Sequence, residues 1–208
     1  MVSVRGESSD HAAVRSGVPQ GSVLGPLLFI LYVNDFSTYM DVACVLFADD
    51  TTLINSDVDL TRLKENSQSY EEKAGRWFGA NQLQLNNQKT QKLVISTNNT
   101  IIDKHASVTL LGIGIDPCLS WKTHKECLVN KLARNVYLLR RLSAFVSPSV
   151  LKTAYYGVFH PHLLYGISLW GNSTEAIRVF KMQKKAVRIL AKAGYRDHCA
   201  ELFIYTQT

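Results

Sequence analysis

VLFADDTTL, residues 45–53, is an apolar run, two adjacent aspartates and a threonine-rich apolar run. The pattern predicts strand, tight turn and strand, with both carboxylates at the tip. Side chains alternate faces along a continuous strand, so Asp49 and Asp50 reach one point only if the chain turns at the pair. Two carboxylates held close together repel, and a divalent cation between them removes the conflict. Magnesium takes oxygen ligands, commonly one or two carboxylates completed by substrate phosphates, which is the metal chemistry of phosphoryl and nucleotidyl transfer. An Asp-Asp pair is also ordinary turn composition. The pair alone leaves both readings open.

On its N-terminal side, residues 16–36 read SGVPQGSVLGPLLFILYVNDF. Closely spaced glycines and prolines make a loop of largely fixed path, with room for another backbone, a base or a sugar to approach. Gly25-Pro26 starts a helix, since proline is pre-set for the first helical position. Leu27, Leu28, Phe29, Ile30, Leu31 and Tyr32 are apolar nearly all round and predict that the helix is buried. A loop of this composition also serves simply as a packing device.

Together, in this order and spacing, the two segments resemble the reverse transcriptases of non-LTR (LINE-type, jockey-like) retrotransposons. The first is similar to that family's template- and nucleotide-contacting loop and helix, and LFADD to its metal-binding signature. WFGANQLQLNNQKTQKLVIS (77–96) is similar to a palm segment with a Lys-Thr pair, and VTLLGIGID (108–116) to the primer-grip hairpin. LSWKTHKECLVNKLARNVYLLRRL and PHLLYGISLWG resemble the thumb. Nearly the whole chain is covered, and several unrelated motifs in one order are far more specific than any one of them.

The resemblance implies an RNA-directed DNA polymerase acting on RNA template, DNA primer and dNTP, with Mg2+. Asp49 would be a metal ligand and Asp50 its partner. Pro19, Gln20 and Gly21 would lie against the incoming nucleotide or template base. Lys89 would approach the leaving pyrophosphate as a general acid or stabilising charge; otherwise it is a solvated surface lysine. Leu111 and Gly112 would support the primer through their backbone. Otherwise they belong to a half-buried strand with a glycine at a close approach.

One expected part is missing. The family supplies a further aspartate from an earlier strand, in an F-D-x-S-K-A-F-D-like segment, and residues 1–15 contain only Asp10, in a polar stretch. The expected architecture is therefore α+β. Residues 1–119 would be a partial palm, a small antiparallel sheet backed by helices, without fingers or the first aspartate strand. Residues 120–208 would be a helical, basic thumb. The missing palm and fingers and an endonuclease domain become expected partners. Two-metal catalysis needs carboxylates bridging both ions, so the polypeptide alone is expected not to polymerise.

Composition agrees. A 46% hydrophobic and 19% charged chain is globular rather than disordered. No apolar run reaches spanning length and the N-terminus is too polar for a signal peptide, so an intracellular protein, nuclear or cytoplasmic and without a membrane, is expected. Cys44, Cys118, Cys127 and Cys199 are scattered and read as reduced thiols. Charge divides unevenly: residues 1–119 carry 9 Lys/Arg against 13 Asp/Glu, and residues 120–208 carry 14 against 4. A polyanion held by the basic part beside a metal held by the acidic part fits that division, although charge runs often form only a solvated face.

Periodicity predicts helices over about 59–80, from Ser120 to about 145, from Ser147-Pro148 to near His160-Pro161, and about 174–193. In the second of these, Leu128, Leu132, Val136, Leu139 and Leu142 form the stripe, with Lys125, Lys131, Arg134, Arg140 and Arg141 outside it. In the last, Ile177, Phe180, Val187 and Leu190 oppose Arg178, Lys181, Lys185, Arg188 and Lys192, a row suited to a sugar-phosphate backbone. Strands are predicted near 93–97 and 108–115. Two other readings stay open: a non-catalytic nucleic-acid-binding remnant or domesticated protein, and a metal-dependent phosphohydrolase, for which no further converging ligands are visible.

Overall fold

The computed structural model describes residues 3–4, 6–10, 17–18, 21–96 and 107–206. They fall into two compact units, Met1–Lys89 and Thr90–Thr208. The first unit runs β1 (Ser3–Val4), β2 (Glu7–Ser8), α1 (Gly25–Val33), α2 (Phe36–Tyr39), β3 (Ala43–Phe47), β4 (Asp50–Ile54) and α3 (Leu60–Ala80). The second runs β5 (Val108–Leu110), β6 (Ile113–Ile115), α4 (Lys122–Leu142), α5 (Pro148–Val158), α6 (His160–Leu164), α7 (Ile167–Trp170), α8 (Ala176–Leu190) and α9 (Ala200–Thr206). Helices with small antiparallel sheets give the α+β class expected from sequence.

The first unit condenses on aromatic rings. Phe36 meets Trp77 edge-on at 5.0 Å and Phe78 at 5.0 Å, and Trp77 meets Phe78 edge-on at 5.2 Å. Val33, Met40 and Ala74 complete the buried cluster, and Cys44, Leu46 and Leu53 pack against it from the hairpin. α3 begins where the Asp59 side chain accepts the Thr61 N–H at 2.8 Å and caps the helix. Ser67 continues its inward stripe by taking the Asn55 amide at 3.1 Å.

α1 departs from expectation. Only Val33 is buried and Phe29 partly so, while Leu24, Leu27, Leu28, Ile30 (58%), Leu31 (64%) and Tyr32 are exposed. A helix apolar on every side needs cover on every side, and the aromatic core reaches one of them. Tyr32 is fixed by its hydroxyl, which donates to the Asn81 carbonyl at 2.6 Å.

The strands pair as three separate hairpins among the described residues, β1 with β2, β3 with β4 and β5 with β6, where one small sheet was expected. Residues 91–96 have no regular structure; Leu93, Val94 and Ile95 have strand propensity, but a strand exists only when paired. Residue 97, the end of that expected strand, lies outside the described residues.

The second unit is a helical pack around Leu128, Leu132, Val136, Leu139, Leu151, Tyr155, Phe159 and Trp170. The α4 stripe is the one predicted, with one correction: Lys125 is buried, 3% exposed, and donates to the Ser173 hydroxyl at 2.8 Å. Burial pushes its ammonium below the usual lysine range, against the opposing pull of Glu175 and Asp116. In α8 the buried residues are Val179, Ala186, Val187 and Leu190, whereas Ile177 and Phe180 are exposed, a rotation of the expected stripe at its N-terminal end. α5 starts at Pro148, as predicted, and the Ser147 side chain caps it by accepting the Val150 N–H.

α4 is anchored from outside. Leu119 and Trp121 take φ of +50 and +60, a region side chains disfavour, and the Asp116 carboxylate holds the turn. It accepts N–H groups of Cys118 (3.1 Å), Ser120 (3.0 Å) and Trp121 (2.9 Å), and the Ser120 hydroxyl at 3.1 Å. The Ser120 hydroxyl oxygen in turn accepts the Lys122 N–H at 3.3 Å. Burial raises the Asp116 carboxyl, but these donors outweigh it and hold it below its ordinary 3.8. A depressed carboxylate stabilises the fold above its unfolded value and loses that contribution as pH falls through its folded value. Asp116→Asn should therefore cost about 1 kcal/mol at neutral pH and flatten the loss of stability below pH 3.8, measured by urea denaturation across acid pH.

Candidate active site

The hairpin β3–β4 is built to present carboxylates. Phe47 pairs with Asp50, Leu46 with Thr51, Val45 with Thr52, Cys44 with Leu53 and Ala43 with Ile54. The pairing leaves Ala48 and Asp49 alone as a two-residue connection. Two-residue turns need positive φ, usually supplied by glycine, asparagine or aspartate; here Ala48 takes φ +51. Such a conformation costs about 1 kcal/mol or more and accumulates at functional sites. It puts the reversal at Ala48 and Asp49, one residue before the expected turn at the pair, so that Asp49 sits in the turn and Asp50 opens β4 opposite Phe47.

The two faces of the hairpin differ. Cys44, Leu46 and Leu53 lie against the aromatic core. Opposite them, Val45, Phe47 (61% exposed) and Ile54 are open to solvent on the face that Asp50 shares. Asp49 and Asp50 are themselves exposed, and neither enters an ion pair among the described residues. Solvent therefore screens the repulsion that would make a cation necessary in a buried site. No group of three His, Cys, Asp or Glu side chains able to hold a metal occurs among the described residues. Two adjacent carboxylates still fit the oxygen preference of Mg2+, which accepts one or two protein carboxylates with phosphate and water completing its shell.

Other expected site residues are distributed as follows. Pro19 and Gln20 lie outside the described residues. Gly21 has φ +83, and a Cβ placed there would meet nothing within 4 Å, so its backbone is open to a neighbour. Lys89 is exposed in a turn, its N–H donating to the Asn86 carbonyl at 3.0 Å; it lies in the same compact unit as the aspartates, without an ion pair to either among the described residues.

Leu111 and Gly112 form the tip of β5–β6, between Leu110 and its partner Ile113, in the second unit. Both have positive φ, +48 and +80. Glycine takes this freely and leucine does not. The Leu111 carbonyl is tied down by the Tyr165 hydroxyl, a support that no local pattern announces because the two residues are 54 apart. Behind this hairpin the Gly114 N–H donates to His124 Nδ1 at 3.3 Å. Burial, then Lys131, pushes the His124 pKa down, in keeping with a neutral ring that accepts.

A family described as reverse transcriptase (RNA-dependent DNA polymerase) matches residues 1–115. The chain is 26% identical over 223 residues to the RNA-directed DNA polymerase from mobile element jockey of Drosophila melanogaster, covering 93% of this chain and 24% of that protein. It is 27% identical over 220 residues to the probable RNA-directed DNA polymerase from transposon BS of the same organism, covering 94% and 24%. For the probable enzyme from transposon X-element, also from Drosophila melanogaster, identity is 28% over 204 residues, covering 88% and 22%. The chain thus spans about a quarter of the length of these curated relatives. No solved structure matches it.

Leu111→Asn should raise stability by about 1 kcal/mol, because asparagine tolerates the left-handed region that costs leucine roughly that much; urea denaturation of the two proteins side by side measures it.

Proposed function

The chain belongs to the reverse transcriptase (RNA-dependent DNA polymerase) family, and from that membership we propose that it forms part of the palm, followed by the thumb, of a non-LTR retrotransposon polymerase. The observation that carries this reading is the Asp49-Asp50 pair at the end of a hairpin, Asp49 in the strained two-residue turn with Ala48 and Asp50 opening β4, between a glycine-rich loop and a basic helical region in the family's order.

Reverse transcriptases use a divalent metal. Mg2+ held by Asp49 and Asp50 would lower the pKa of a primer hydroxyl and neutralise charge on the triphosphate. The chain's own residues do the positioning. Gly21, with Pro19 and Gln20 beside it in sequence, offers a backbone that a base or sugar can approach. Lys89 brings a cation to the departing pyrophosphate. Leu111 and Gly112 hold the primer strand by backbone groups at a turn that Tyr165 stiffens. The exposed basic residues of α4 and α8 contact the sugar-phosphate backbone of template and primer.

Two carboxylates do not close a two-metal cage, and a further acidic ligand is needed from outside the described residues. The uncovered apolar surfaces of α1 and of the Val45, Phe47 and Ile54 face support the same conclusion, since contiguous exposed apolar surface marks an interaction site. The remaining palm and fingers of the polymerase are the proposed cover, and the isolated chain is proposed to be inactive. The lack of a third carboxylate among the described residues also favours a second reading, a non-catalytic nucleic-acid-binding remnant.

A titration separates the two. Mg2+ should strengthen binding of primer-template and dNTP to the wild-type chain by about tenfold, or about 1.4 kcal/mol, and Asp49→Asn should remove that gain while leaving metal-free binding unchanged. Equal Mg2+ dependence in the two proteins would leave only the remnant.

A further inference from the structure

α8 does more than present a row of charge. Val179, Ala186, Val187 and Leu190 are buried, which fixes the helix and with it the opposite face. Arg178, Lys181, Lys184, Lys185 and Arg188 line an open groove of about 570 Å3 together with Tyr195, Met182 and, from α4, Val129. No carboxylate lines it among the described residues. The only ion pair touching these cations among the described residues is Arg178 with Glu175, at 3.7 Å and half exposed on both sides, a contact of little strength.

Two of the lining groups are braced. Lys184 lies 4.5 Å over the Phe180 ring, which in turn stacks on Phe203. Arg188 Nε donates to the Asp197 carbonyl at 3.0 Å, and the Asp197 carboxylate accepts the Gly194 N–H at 2.6 Å. These bonds fasten the turn that carries Tyr195 against the end of α8. The Tyr195 ring is nonetheless 75% exposed and has no aromatic partner among the described residues. An unstacked, exposed aromatic ring beside a concave row of cations is the combination that holds single-stranded nucleic acid: phosphates on the charges, a base on the ring. A duplex offers the phosphates but keeps its bases stacked and out of reach.

We propose that this groove binds a single-stranded stretch of nucleic acid, with phosphates seated on Lys181, Lys185 and Arg188 and one unpaired base stacked on Tyr195. The proposal rests on the reading of the chain as nucleic-acid-handling and specifies which form of nucleic acid this face takes. It does not depend on the aspartates or on magnesium.

Fluorescence anisotropy with the full chain in EDTA tests it, using labelled single-stranded RNA and DNA of about 12 nucleotides and a blunt duplex of the same sequence. Tyr195→Ala should weaken single-strand binding about tenfold and leave the duplex unaffected, while Tyr195→Phe, which keeps the ring, should bind as wild type. Lys181→Gln with Lys185→Gln should reduce the salt slope of single-strand binding by about 1.4 units, two phosphates at about 0.7 each. Matching RNA and DNA affinities would identify the phosphate and base as the recognised groups, and an RNA excess would add the ribose hydroxyl; the Tyr195 effect is expected in either case. Unchanged single-strand affinity in Tyr195→Ala, equal loss on the duplex, or tighter binding to phosphatidylserine vesicles that RNA fails to displace would overturn the proposal. Because no metal is present, failure of the Asp49 titration leaves this result standing, and the converse holds too.

Discussion

The two-residue connection between Phe47 and Asp50 is the constraint on which the site depends. With five register pairs fixed on β3 and β4, the chain must reverse across Ala48 and Asp49, and alanine has to accept the conformation that glycine would adopt freely. A longer loop would relieve Ala48 and let the carboxylates separate. The strain is sustained because the hairpin's inner face is held on the Phe36, Trp77 and Phe78 cluster. Deleting that anchor therefore acts at the tip as well as in the core: large-to-small changes at such aromatic residues cost about 3–5 kcal/mol.

The second unit applies the same economy to a different charge. Asp116 collects donors at the start of α4 and gives this basic half a fixed helix against which α8 packs. Buried aliphatic residues on α8 leave its cations on the open side. Lys125 is the exception that shows the rule, since a lysine turned inward is accepted only with the Ser173 hydroxyl to take its proton donor.

Much of this was legible in the residues. The 3.6-residue spacing of Leu128, Leu132, Val136 and Leu139 located α4 and its buried stripe, and Ser147-Pro148 marked the start of α5. The FADD turn was read from strand propensity on both sides of the pair. What failed depended on partners distant in sequence. The apolar surround of α1 signals burial, but among the described residues of the first unit only the aromatic core packs against it. The segment 91–96 has the composition of a strand and lacks a ladder. Ile177 and Phe180 have helical spacing yet lie outside, because packing on α4 selects Val179 and Ala186. Ala48, Leu119 and Trp121 have positive φ that no glycine announces, and the Tyr165 support for Leu111 comes from far along the chain.

Family membership and the Asp49-Asp50 pair carry the proposal of a polymerase palm whose metal cage needs a further carboxylate. Primer extension by the purified chain, with RNA template, DNA primer, dNTPs and Mg2+, tests that claim most directly. The account predicts no extension product at any enzyme concentration. Magnesium-dependent extension that Asp49→Ala abolishes would contradict it, because the chain would then close the cage with its own residues.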